Sequence, residues 1–167
     1  MKLSFVIEEG DMRTAAGRHF NYRYPFFRYS GPILGGLLLV MSVFFLMNIG
    51  EGPNAFLGII CLAAGLRSLF RKKFYVWRTA KGLFKGKEGE DFTQWIEADE
   101  EGLAMRHRKS EGRIDWDGFV DVQECPEGLL LYPQKNLFVW IPCSATMSEG
   151  RWEDFVSLVT SKITKKL

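Results

Sequence analysis

Two apolar stretches, residues 31–49 and 53–70, stand on either side of a three-residue step, Gly50-Glu51-Gly52. A helix rises about 1.5 Å per residue, so roughly twenty apolar residues cross a hydrocarbon core of about 30 Å. The first stretch carries no charge. The second carries one, Arg67, close enough to its end for the side chain to reach the headgroups. The chain is therefore expected to cross a bilayer twice, as a helical hairpin over 31–70. A signal peptide would begin nearer Met1 with a shorter apolar run, whereas the first thirty residues are mixed and polar. A hairpin buried inside a water-soluble fold is the competing arrangement. So small a chain has little protein with which to cover two helices that are apolar all round.

The flanks set an expected orientation, because positive charge marks the cytoplasmic side of short membrane flanks. Arg18, Arg23 and Arg28 precede the hairpin; Arg67, Arg71, Lys72 and Lys73 close it, and Arg78, Lys81, Lys85 and Lys87 follow. The turn holds only Glu51. Both termini are accordingly expected in the cytoplasm, with a minimal turn outside. Tyr22, Tyr24, Phe26, Phe27 and Tyr29 on one flank, and Phe74, Tyr75 and Trp77 on the other, match interfacial aromatic belts.

The net charge of +2 hides an asymmetry. Residues 71–87 hold seven Lys or Arg and no acid, while residues 88–167 hold nine basic and sixteen acidic side chains. The basic run should be drawn to anionic headgroups by roughly 1 kcal/mol per charge. The acidic remainder is repelled by polyanions, which disfavours nucleic acid as a partner. Cys61, Cys125 and Cys143 have no metal-ligand or CxxC spacing, so neither a zinc site nor a disulfide scaffold is expected. Cys61 falls within the second helix as a small packing residue, and Cys125 and Cys143 fall where cytoplasmic thiols stay reduced.

Four segments follow along the chain. Residues 1–30 read as a strand over 2–9, with Leu3, Phe5 and Ile7 on one face, then a helix for which Asp11 can serve as cap, ended by Pro25 or continuing into the membrane. The hairpin occupies 31–70. A basic connector covers 71–91, where Phe70, Phe74, Trp77 and Phe84 keep helical spacing. That connector is either an amphipathic helix lying on the inner leaflet or a continuation of the second membrane helix into the cytoplasm that packs on the soluble domain, the latter being favoured. The polar run 86–91 is the expected domain boundary. Residues 92–167 then change period: 92–98, 103–108, 112–124, 129–132 and 137–141 read as strands separated by Gly- and Pro-containing turns. Thr146-x-x-Glu149 fits a capping box, and Trp152, Phe155, Val156, Val159 and Ile163 make a helical stripe that should cover a sheet. The expected fold class is α+β: a transmembrane helical hairpin, then a pleckstrin-homology (PH)-like antiparallel barrel or bent sheet capped by a C-terminal helix.

With those segments in order, the chain resembles the YcxB-like family of small bacterial membrane proteins. Phe92-Thr-Gln-Trp-Ile-Glu-Ala-Asp-Glu-Glu-Gly102-Leu103 is similar to that family's strand ending in an acidic turn and Gly. Gly112-Arg-Ile-Asp-Trp116-Asp-Gly-Phe-Val120 and its continuation to Glu124 are similar to its Trp-centred strand, and Leu137-Phe-Val-Trp-Ile-Pro142 to its Ile-Pro step into a last helix from about Ser148. The resemblance implies a membrane protein with a PH-like cytoplasmic domain and implies no established reaction. Basic residues often found just after the Ile-Pro step are replaced here by Cys143-Ser-Ala.

Candidate chemistry is sparse. His19 and His107 are the only histidines; His107 alternates with Leu103 and Met105, which favours a half-buried strand residue over a general base. Asp115 and Asp117 flank Trp116 and would share a strand face, with Asp121 nearby, either as a wet face or as a cation or acid/base pair. Gly31-Pro-Ile-Leu-Gly35 is a GxxxG pattern weakened as a dimer motif by its Pro, while Cys61-x-x-x-Gly65 better suits packing the hairpin on itself. Trp116 and Trp140 are candidate binding aromatics, with Trp116 expected in the core. No catalytic, cofactor-binding or metal residues are assigned and no cofactor is expected. The expected function is a non-catalytic, inner-membrane interaction or regulatory module, with the bilayer and an unidentified protein or peptide as partners. The alternative is a membrane-bound enzyme acting on lipid or envelope precursors through His107, Asp115 and Asp117. A third possibility is lipid sensing through residues 71–87.

Overall fold

In a computed structural model the described residues are 1–48, 53–84, 92–107 and 110–163, with side chains of 83 and 84 excepted. The Gly50-Glu51-Gly52 step, the polar run 86–91, and Lys165 and Lys166 lie outside them. The chain divides into two compact units, one of residues 16–82 and one of residues 1–15 with 83–167.

The helical unit is built from the second half of a first helix, whose start belongs to the other unit, and from two longer helices. Helix α1 (Glu9–Arg23) begins with one half of a capping box: the Glu8 backbone N–H donates to Oδ2 of Asp11 at 3.1 Å, so Asp11 acts from inside the first turn and not as the cap residue itself. It stops before Pro25, which lacks an N–H and instead opens helix α2 (Pro25–Met47). Helix α3 (Asn54–Phe84) runs unbroken for 31 residues, as expected of a membrane helix that simply continues. Both α2 and α3 are long and apolar enough to cross a membrane, and most of their apolar surface is exposed in the chain.

Small residues join these two helices. Gly31, Gly35 and Ser42 are the buried positions of α2. A Cβ at Gly35 would meet Leu69 at 2.8 Å and the Gly65 carbonyl at 3.1 Å; one at Gly65 would meet the Gly35 carbonyl at 3.1 Å. Ser68 Oγ donates to the Gly31 carbonyl at 2.9 Å. Gly31 and Gly35 therefore face Gly65 and Ser68 within one hairpin. Beyond this contact α3 meets the second half of α1. Tyr75 lies with ring centroids 6.2 Å from His19, 5.4 Å from Phe20 and 6.4 Å from Tyr24, and His19 and Phe20 are buried.

The β unit holds two antiparallel sheets. In the first, strands β1 (Lys2–Val6), β2 (Thr93–Ala98), β3 (Gly102–His107), β4 (Ser110–Asp115) and β8 (Thr146–Glu149) lie in the order β4-β3-β2-β1-β8. In the second, β5 (Asp121–Cys125), β6 (Gly128–Gln134) and β7 (Leu137–Pro142) lie in chain order. Helix α4 (Trp152–Lys162) supplies Phe155 and Val159, both fully buried, to a core shared with Leu3, Ile96, Leu103, Phe119, Leu129, Leu131 and Ile141. Strand β6 is buried on both faces, since Leu130 and Tyr132 are covered as well as Leu129 and Leu131, which explains its continuous apolar run.

Four expectations need correcting. The strands form two open sheets among the described residues, not a closed barrel. The first strand belongs to the C-terminal sheet: β1 pairs with β2 (Leu3↔Ile96) and with β8 (Leu3↔Met147), so residues 92–167 lack one of that sheet's interior strands, and residues 1–30 are not a separate segment. The single strand expected over 112–124 is broken by a 3₁₀ turn, Trp116–Gly118, because Trp116 turns into the core and its Nε1 donates to the Asp99 carbonyl at 3.0 Å. Its two halves then join different sheets. Finally, Thr146–Glu149 is strand β8 and no capping box; one edge of its backbone pairs with β1, and α4 starts at Trp152 after Arg151, not near Ser148.

Candidate functional site

The outer face of the five-stranded sheet carries an exposed aromatic side chain and a concavity. Strand alternation puts Ile96 and Ala98 into the core and turns Trp95 and Glu97 outward. Register then fixes their neighbours. One cross-strand row reads Thr146, Ser4, Trp95, Arg106, Glu111, and the next brings Lys2, Glu97, Ala104 and Arg113 side by side. Because β2 is the middle strand, Trp95 stands at the centre of this face, 45% exposed. Small neighbours, Ser4 on one side and Ala104 diagonally on the other, leave its flanks open.

A concavity of about 540 Å³ runs over this face, lined among others by Lys2, Trp95, Glu97, Ala104, Arg106, His107, Glu111 and Ser148. Its size is that of an ordinary binding cleft. Lys2 Nζ and Glu97 Oε1 lie 3.4 Å apart, both about half exposed. The rim thus offers both signs of charge around one aromatic plane, an arrangement suited to a polypeptide with mixed polar and apolar side chains.

At one corner the acidic turn between β2 and β3 is tied down. Asp99 Oδ1 accepts from the backbone N–H groups of Glu101 (2.9 Å) and Gly102 (3.0 Å) and from Arg113 Nη2 (2.7 Å). The two backbone donors foremost, and then Arg113, hold the Asp99 carboxyl below its ordinary range. Lys162 of α4 pairs with Glu100 at 2.6 Å. This end of the face is an ordered frame.

The residues singled out from sequence are dispersed. His107 is half-buried at the end of β3, its ring 6.3 Å from that of Phe92. Asp115 pairs with Gly102 at the far end of the same hairpin, five residues along the strand from the Ser110↔His107 pair, or about 17 Å. Asp117 is exposed in the 3₁₀ turn, and Asp121 is buried in the second sheet, where Oδ1 accepts the Val122 N–H at 2.9 Å. The expected carboxylate row does not form, and the enzyme alternative's three groups do not converge. Among the described residues no three His, Cys, Asp or Glu side chains are grouped to hold a metal ion. Trp116 and Trp140 are buried at 6% and 3% exposure, so neither is the surface aromatic.

Trp95 was legible in principle: it shares parity with Thr93 and Glu97 and opposes Ile96, which marks it as the outward residue of its strand. No protein-family model, curated protein or solved structure matches the chain.

Proposed function

We propose that the chain is a non-catalytic inner-membrane protein that presents its β unit in the cytoplasm to a protein or peptide partner, docked on the outer face around Trp95. The observation that carries this reading is an exposed Trp at the centre of a concave sheet face, ringed by Lys2, Glu97, Arg106 and Glu111. Trp and Arg together are the side chains most often found at the energetic centre of interfaces. The two exposed apolar helices support the membrane reading, and the basic flanks against a lone Glu51 support cytoplasmic termini. Two antiparallel sheets closed by a C-terminal helix are consistent with a PH-like domain and with the YcxB-like resemblance carried by residues 92–103, 112–124 and 137–142.

The test is site-specific photocrosslinking in membranes holding the full-length chain, since β1 is part of the sheet. A photoreactive residue at position 95 should give a discrete adduct that is lost with Arg106→Glu. The same residue at Leu137, exposed on the other sheet, should give none. Equal labelling from both positions, or none from position 95, would remove the proposed docking face.

A further inference from the structure

Within residues 16–82 there are nine Lys or Arg and one acid, Glu51, which in sequence falls between the two apolar stretches. Five of the cations gather where α2 begins and α3 passes it. Arg28, Arg67, Arg71, Lys72 and Lys73 are all exposed there. With no carboxylate in the neighbouring sequence, their neutralising charge has to come from outside the unit.

The geometry at this end is specific. The Arg71 guanidinium lies 4.0 Å from the ring centroid of Phe27, a contact between the two helices of the hairpin. A cation–π contact of this kind uses the guanidinium's charge and leaves its N–H donors able to grip a phosphate. Arg28 stands 5.1 Å from the Tyr29 ring and Lys73 5.8 Å from the Phe70 ring. Successive helical residues are turned by about 100°, so Arg71, Lys72 and Lys73 wrap more than half of α3. From Arg67 to Lys73 the helix rises about 9 Å, enough to pass through one headgroup layer of roughly 5–8 Å.

We propose that this collar is a binding site for anionic phospholipid, with Arg71, held on Phe27, gripping the headgroup phosphate and Arg28, Lys72 and Lys73 supplying the surrounding field. The site rests on the membrane reading above and adds to it a choice of lipid. Residues 85 and 87, outside the described chain, are not needed for it. Exposed aromatics at the same level, Phe26, Tyr29 and Phe70, hold the collar at the boundary between hydrocarbon and water.

The experiment is full-length protein in nanodiscs of phosphatidylcholine mixed with phosphatidylglycerol, with the lipid retained on mild detergent extraction counted by native mass spectrometry. Phosphatidylglycerol should be retained over phosphatidylcholine by roughly fivefold or more, and the preference should fall steeply with salt. Arg71→Gln with Lys72→Gln and Lys73→Gln should abolish it. Arg71→Lys, which keeps the charge and removes the fork, should weaken it without loss. Excess soluble glycerophosphate should leave retention unchanged. Equal retention of both lipids by the unaltered protein, a preference that survives the triple substitution, or displacement by glycerophosphate would overturn the proposal. Should the triple variant not insert, the salt dependence of the unaltered chain decides alone. Failure of the unaltered chain to enter nanodiscs of either composition would instead overturn the membrane reading beneath it.

Discussion

The two units bury opposite things. In the β unit the large apolar side chains are inside, with Phe155, Leu131 and Phe119 wholly covered and charge on the outer faces. In the helical unit the buried positions of α2 are Gly31, Gly35 and Ser42, while Met47 is 81% exposed and Val40, Ile33 and Phe44 more than half exposed. Water drives the first arrangement, since removing apolar area from it is the main favourable term in folding. In a bilayer, as proposed above, it would not drive the second, where the helices meet through close backbone approach and shape. Under the membrane reading proposed above, one chain carries two solvent rules, and the same substitution should have opposite consequences in its two halves.

Truncation in the β core gives the sharpest contrast. Phe155→Ala should cost about 3–5 kcal/mol of stability, read by denaturant unfolding in detergent. Val40→Ala, an equally apolar truncation in the helical unit, should cost a small fraction of that. Comparable losses would break the comparison. Charge reverses the ranking: Val40→Lys at the middle of α2 should raise the cost of membrane insertion by about 2.5–3.5 kcal/mol, visible as a lower fraction of the glycosylation-mapped inserted form. An unchanged fraction would place Val40 against protein or water.

Close approach is next in size. Gly65→Val would push a side chain against the Gly35 carbonyl and Leu39, and should cost about 1–3 kcal/mol and weaken a cysteine crosslink engineered between α2 and α3. The smallest expected effect is a pH dependence. Burial first, and the Arg23 charge second, lower the His19 pKa below its ordinary value. The unfolded chain then binds the proton more readily, so stability should be unaffected above about pH 6.5 and should fall as pH drops below it. His19→Phe should flatten that acid limb in thermal unfolding; a limb that persists unchanged would assign it to other groups.

How much of this was readable depended on the range of the interactions involved. The unbroken α3, the apolar hairpin and the Phe155, Val159 and Ile163 stripe follow from spacing within a turn or two of helix. Trp116 pointing into the core agreed with its expected place. Thr146-x-x-Glu149 misled because a capping box and a short polar edge strand share the same residues, and only the distant β1 decides between them. The split at Trp116 was hidden for the same reason: 112–124 alternates well enough for one strand, and the turn exists because the Asp99 carbonyl and the shared core draw the indole in. Asp115, Asp117 and Asp121 are neighbours in sequence and lie in three different settings once the strand is broken.

The sequence by itself determined the elements with local causes: two helices of membrane length, basic flanks outside them, alternating strands and a C-terminal amphipathic helix. Periods of 3.6 and 2 are properties of neighbouring residues and need no partner. Tertiary structure alone decided that β1 enters the C-terminal sheet, that the strands form two open sheets, and that Trp95 stands in solvent while Trp140 is covered. A strand's two faces are equivalent until something packs on one of them, and that choice is made by segments some ninety residues apart in the chain, as with Leu3 and Ile96.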